Sequence, residues 1–245
     1  MNQSMNYNMD NPAMDVLNEK EDFYAKTHIK NIEVFEYKII LVGDPGVGKT
    51  SILTKFVTNE FQSVYSSTIG VEFKLKDIYV NNNCARLKIW DTCGQEKFRA
   101  ITRQYFKNSN GVFIVFDLTN KDTIKRLNVW MKDINDNITN DFFVFLIGNK
   151  VDIKDRDISI SEEAKQFANN QKINYYEVSA KTGSGIYNVF EKMANKLVSK
   201  DKMDKSRDSK INPIKLGNKS LNIDDYNKDR GTILSDDDKS ISKCC

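Results

Sequence analysis

No stretch of this chain is both long and apolar enough to cross a bilayer as a helix. Its longest apolar runs, "GVFIVF" from Gly111 and "FFVFLIG" from Phe142, are strand-sized and well short of the roughly 18 residues required. The first ten residues lack the charged start and apolar stretch of a secretory leader. Cysteine is scarce: the four, at 84, 93, 244 and 245, make no secreted disulfide framework, which points to a reducing cytosol. Charge of one sign is also scarce. A net charge of +3, with lysines scattered among aspartates, forms no basic stripe, so nucleic acid is not an expected partner. The single histidine, His28, falls in the N-terminal stretch and cannot by itself supply a catalytic base.

What is present divides the chain into three. Residues 1–34 are rich in Asn and Met, with only a weak helical face from Val16, Leu17, Phe23 and Tyr24, and read as a mostly disordered extension. Residues 35–200 alternate strand and helix patterns. The strands are "EYKIILVG", "VEFKLKDIYV", "ARLKIWD", "GVFIVFD", "FFVFLIGN" and "NYYEVSA". The clearest helices are Thr50–Thr58, Thr123–Ile138, Glu162–Asn170 behind a Ser159/Glu162 capping box, and Ile186–Val198. Alternation implies parallel βαβ units, while "NNN" at 81–83 joins two strands closely enough to force one antiparallel hairpin. The expected fold is α/β and three-layered: a six-stranded, mostly parallel sheet with one antiparallel strand and about five helices. Residues 201–245 are rich in Lys, Asp, Ser and Asn and too poor in large apolar groups to repay ordering, so they read as a flexible tail.

The chemistry concentrates at strand ends. "GDPGVGKT", Gly43 to Thr50, has the spacing of a phosphate-binding P-loop and lies between a strand and a helix, as that motif requires. Asp44, Pro45, Gly46, Val47, Gly48, Lys49, Thr50 and Ser51 form the loop and the first helical turn. Glycines at 43, 46 and 48 let backbone N–H groups converge on phosphate oxygens, and the helix adds its positive dipole end. Lys49 is suited to the β and γ phosphates, and the Thr50 hydroxyl to Mg²⁺, a hard ion that prefers oxygen. The base is named by "GNKVD", Gly148 to Asp152. A carboxylate at Asp152 can accept both N1–H and the exocyclic amine of guanine, whereas adenine has no matching donor pair. Lys150 can lie along the ring and Asn149 can tie this loop to the phosphate site. "SAK", Ser179, Ala180 and Lys181, follows the last strand and can offer backbone N–H groups to the guanine carbonyl oxygen.

With these motifs the sequence resembles the small GTPases of the Ras superfamily. "IGVEF", "RLKIW", "KFRAIT", "YFKNS" and "FDLT" are similar to the Rab branch. The resemblance covers roughly Glu36 to Lys200. It implies that Thr68 is a second Mg²⁺ ligand, that Asp91 holds the metal through water, and that Phe61 packs on the guanine. It also implies that Gly94 senses the γ-phosphate and that Gln95 orients the attacking water, with Lys49 as its catalytic companion. Phe73, Trp90 and Tyr105 match the aromatic triad with which the family meets effectors. Two positions depart from the pattern. Pro45 stands where Gly or Ser is usual, with a fixed φ and added bulk near the γ-phosphate. Cys93 stands where Ala is usual, its thiol close to the nucleotide and read as a small filler.

The expected function is therefore a GTP/GDP switch of vesicle trafficking with Mg²⁺ as cofactor and a slow intrinsic hydrolysis rate. Two other readings are a P-loop kinase or ATPase, against which "NKVD" and "SAK" speak, and a non-hydrolysing module held in its GTP form by Pro45. The terminal "KCC" is not a C-a-a-X box but resembles the Rab double-cysteine ending, which implies geranylgeranyl groups on Cys244 and Cys245. Acidic residues, "DDD" at 236–238 among them, nearly balance the tail's lysines, so no polybasic patch substitutes for the lipids. The partners implied are effectors, an exchange factor, an activating protein, a prenylation escort gripping Ile233 and Leu234, and a lipid-extracting carrier. The implied location is the cytosolic face of an intracellular membrane with a soluble carrier-bound pool, and the implied state is a monomer.

Overall fold

The computed structural model describes residues 32–62, 68, 70–95 and 99–211. The weak helical face at 16–24, His28 and the terminal cysteines lie outside the described residues. Six strands form one sheet: β1 (Glu33–Val42), β2 (Val71–Val80), β3 (Asn83–Thr92), β4 (Gly111–Asp117), β5 (Phe143–Asn149) and β6 (Asn174–Glu177). Their spatial order is β2-β3-β1-β4-β5-β6. Among the described residues only β2 and β3 pair antiparallel; every other pairing is parallel. The hairpin closes where "NNN" predicts it. Asn81 (φ 49°) and Asn82 (φ 60°) both adopt the left-handed conformation of a two-residue turn, which asparagine tolerates well, and Val80 pairs with Asn83.

Helices α1 (Lys49–Thr58), α2 (Arg99–Gln104), α3 (Lys121–Lys125), α4 (Leu127–Asn137), α5 (Ile158–Gln171) and α6 (Ile186–Ile211) complete the described chain. The alternation of β1 sorts them into two outer layers. Ile39 and Leu41 face one core with Ile52, Leu53 and Phe56 of α1 and Phe190 and Met193 of α6. Ile40 and Val42 face the other with Leu127, Trp130 and Ile134 of α4 and Ile160, Ala164 and Ala168 of α5. Phe190 stacks on Phe56 at 3.8 Å and meets Phe113 of β4 edge-on at 4.8 Å, joining both helices to the sheet. Removing such a fully buried ring costs about 3–5 kcal/mol.

Four expectations are corrected. The single helix expected over Thr123–Ile138 begins earlier and is broken into α3 and α4 at Arg126 (φ −91°, ψ −3°), whose Nε lies 3.2 Å from Asp44 Oδ1. The cap of α5 is Asp157, in extended backbone, accepting from the Ser159 N–H; the expected Ser159/Glu162 box lies inside the helix instead. β6 ends at Glu177, so "VSA" is loop rather than strand. Finally, α6 continues past Val198 to Ile211. Beyond Val198 it is held by Lys200 Nζ donating to Asp141 Oδ2 at 2.7 Å and by Tyr37 Oη donating to Asp201 Oδ2 at 2.9 Å. These contacts depend on residues distant in sequence, which is why composition alone ended the helix early.

Candidate functional site

The loops after β1, β3, β5 and β6 gather at the carboxyl ends of the parallel strands, beside the point where β1 has β3 on one side and β4 on the other. This is the crevice in which open α/β sheets bind ligands. A cleft of about 340 Å³ opens there.

Its phosphate-sized end is made by the turn from β1 into α1. Gly48 caps α1 at φ 95° with no side-chain hydrogen bond, so the first N–H groups of the helix have no capping side chain to compete with an anion. A Cβ at Gly48 would lie 2.3 Å from Asn149 Nδ2, so only glycine fits. Lys49 is buried, and its Nζ donates to the carbonyls of Gly43 and Asp44, both at 2.9 Å. Burial lowers its ammonium to about 8, against the opposing pull of Asp91, Cys93 and Asp44. A buried cation of this kind is stabilised by any anion brought next to it.

Next to Lys49, in the same first turn of α1, Thr50 gathers the oxygens suited to a hard cation. Thr50 Oγ1 donates to Asp91 Oδ2 at 2.5 Å and lies 2.7 Å from Thr68 Oγ1. Asp91 is fully buried, and its second oxygen, Oδ1, has no hydrogen-bond partner among the described residues. Burial raises its carboxyl to about 6, only partly offset by the Thr50 hydrogen bond and by Lys49. One carboxylate and two hydroxyls at the mouth of a phosphate cradle fit Mg²⁺, which keeps several waters and shares phosphate oxygens. On the facing side Gly94 passes so close to the loop that a Cβ would lie 2.5 Å from the Asp44 carbonyl carbon and 2.6 Å from Lys49 Nζ.

The far end is built by β5 and β6. Asn149 Nδ2 donates to the Val47 carbonyl at 2.9 Å while its Oδ1 accepts from the Ala180 N–H at 3.1 Å, so one amide joins three loops. Asp152 Oδ1 accepts from Ser179 Oγ at 2.6 Å, which orients the carboxylate at the cleft wall. Lys150, in left-handed backbone (φ 72°), sends its ammonium to Asp117 Oδ2 at 2.5 Å.

Of the residues expected in the site, Pro45, Gly46, Gly48, Lys49, Thr50, Ser51, Phe61, Thr68, Gly94, Gln95, Asn149, Lys150, Asp152, Ala180 and Lys181 line the cleft, and so does Cys93. Asp44, Val47, Asp91 and Ser179 do not line it. The side chain of Val47 is in the core, and those of Asp91 and Ser179 act through Thr50 and Asp152. Thr54, Gln62, Thr92 and Ile153 line it without having been expected. Asp117 was also missed as a site residue. It anchors Lys150 and accepts from the Thr119 N–H and hydroxyl, and its only sequence signal was its place in "FDLT". Phe73, Trp90 and Tyr105 form a continuous aromatic patch away from the cleft, with ring centroids 4.9 and 5.2 Å apart; Phe73 is exposed and the other two are half-buried.

A family model described as Ras family matches residues 38–199. The chain is 41% identical over 165 residues to "Ras-related protein Rab-1" of Theileria annulata, an alignment covering 67% of this chain and 75% of that protein. It is 40% identical over 162 residues to "Ras-related protein Rab-18-B" of Danio rerio (66% and 78%). It is 34% identical over 180 residues to "Ras-related protein Rab-10" of Caenorhabditis elegans (73% and 90%).

Proposed function

The chain belongs to the Ras family, in its Rab branch, and on that premise we propose that it is a membrane-anchored switch recruiting effectors in its GTP form for vesicle trafficking. It is a GTP hydrolase, converting GTP and water to GDP and phosphate, so the non-hydrolysing reading loses its ground. The observation that carries the nucleotide assignment is the Asn149 bridge. It makes one cleft of a phosphate cradle at one end and an oriented Asp152 at the other.

In this reading the α1 N-terminus and Lys49 hold the β and γ phosphates, and Asp152, with the Ala180 and Lys181 backbone, recognises guanine. Phe61 and the Lys150 stem cover the ring. Thr50, Thr68 and Asp91 hold Mg²⁺, which when bound supplies positive charge against the phosphate oxygens. Gln95 orients the attacking water in line with the γ-phosphate, and Lys49 balances charge that develops on it. The protein accordingly accelerates the reaction by positioning and electrostatics rather than covalent chemistry. The Phe73–Trp90–Tyr105 patch is the surface for effectors, and prenylated Cys244 and Cys245 anchor the chain to the cytosolic face of an intracellular membrane. An exchange factor, an activating protein, a prenylation escort and a carrier that extracts the two lipids complete the cycle.

Competition binding of GTP, ATP and XTP to the parent and to Asp152→Asn tests the base assignment. The parent should exclude ATP. The variant should lose about two orders of magnitude or more in GTP affinity and gain for XTP, because its amide donates to the carbonyl that replaces guanine's amine. Unchanged GTP preference in the variant would overturn the assignment.

A further inference from the structure

Asp44 is the one residue of the phosphate loop whose carboxylate is buried on the side away from the cleft. It faces the α3–α4 break. Its Oδ1 accepts from Trp130 Nε1 at 2.9 Å and pairs with Arg126 Nε at 3.2 Å. Its backbone carbonyl accepts from Lys49 Nζ, and its carbonyl carbon sits under Gly94 at the distance that excludes any Cβ there. One residue therefore holds helix α4 with its side chain and the site lysine with its main chain. Three residues after Trp130 on the same helix, Asp133 Oδ1 accepts from Arg103 Nη2 of α2 at 2.8 Å. Helix α4 thus grips the loop before Lys49 and the helix that follows Gln95.

We propose that Asp44 is a positioning residue for hydrolysis, clamped by Trp130 and Arg126 so that the α3–α4 junction sets where Lys49 stands relative to the γ-phosphate. This rests on the nucleotide-site reading above. Any shift of the loop that breaks these bonds leaves a buried polar group without its donors, which is costly. The loop is held to one geometry by that penalty. Arg126, the residue between α3 and α4, is the one whose guanidinium meets Asp44, whereas an unbroken helix over this segment is what the sequence pattern alone predicts. Reaction rates depend steeply on such placement, since an error of about 1 Å in a reacting geometry costs about a hundredfold.

The clamp is tested by single-turnover hydrolysis in the full chain at saturating GTP and Mg²⁺, comparing Trp130→Phe, Asp44→Ala and the double variant. Trp130→Phe keeps an apolar ring but removes the N–H donor together with part of the indole's volume, so its coupling to Asp44→Ala, rather than its single effect, carries the test. Each single variant should slow hydrolysis about tenfold with the preference for GTP over ATP unchanged, and the double should be no slower than Asp44→Ala. That non-additivity is what a clamp requires and what two independent packing defects would not produce. Parent-like rates in Trp130→Phe, or effects that multiply in the double, would overturn the proposal while leaving the nucleotide assignment standing. A parent chain that neither binds nor hydrolyses GTP would overturn both. Should Trp130→Phe fail to fold, Arg126→Gln decides by the same criterion, because the Arg126 side chain is 40% exposed and its loss leaves no core cavity. It should slow the parent several-fold and leave Asp44→Ala unaffected.

Discussion

At the scale of single residues, the site contains charged groups that are uncomfortable alone. Lys49 is held down to about 8 and Asp91 up to about 6, both by burial, so each gains when its opposite arrives. Gln95 is different: it lies half-buried at the cleft wall, where it can reach a water without having to balance a buried charge. Replacing it by leucine should slow single-turnover hydrolysis at least about tenfold while GTP affinity stays within about twofold, as measured by rapid quench and equilibrium binding. A parallel loss of affinity would assign Gln95 to binding instead. Residues of this kind were legible in the sequence because "GDPGVGKT" and "NKVD" are local, each loop carrying its own chemistry. Asp117, Arg126 and Trp130 were not. Trp130 is 86 positions from Asp44 and looks in sequence like one more apolar position of a helix face.

At the scale of elements, strand identities and the hairpin followed from period and turn chemistry, but helix limits depended on which of several competent groups the backbone happened to present. Asp157 and Ser159 can each cap α5. Asp157 wins because its backbone is extended (φ −70°, ψ 112°) and its carboxylate meets the Ser159 N–H at 2.9 Å. The Ser159 hydrogen bonds hold the Asp157 carboxyl below its ordinary value. A lowered folded-state value means that the stabilisation is present above the unfolded carboxylate's pKa and disappears as pH falls through the folded one. Asp157→Ala should therefore lower the thermal midpoint at pH 7 by about 2–4 °C, and the gap to the parent should close as pH drops below about 4. Scanning calorimetry over that range checks it. A gap independent of pH would show that the carboxylate's charge contributes nothing to the cap.

At the scale of the whole molecule, four separated loops become one cleft because the sheet reverses its direction of growth at β1, and a single amide, Asn149, ties three of them together. The α/β class was readable from alternation. The sheet order was not, since it is decided by which strands bury their faces together. The proposed anchor makes a prediction for the full chain. Replacing both Cys244 and Cys245 by serine should leave GTP hydrolysis in solution unchanged and move the protein from the membrane to the soluble fraction of a cell lysate; retained membrane association would refute the lipid anchor. The two tryptophans of the chain sit at the two ends of the proposed switch. Trp90 is half-exposed in the aromatic patch, whereas Trp130 is buried with its indole N–H on the phosphate-loop carboxylate. They form a label-free optical readout with two channels. Acrylamide should quench the red-edge emission of Trp90 and spare the blue-edge emission of Trp130, so the state of the partner-facing surface and that of the phosphate loop can be followed separately in one cuvette.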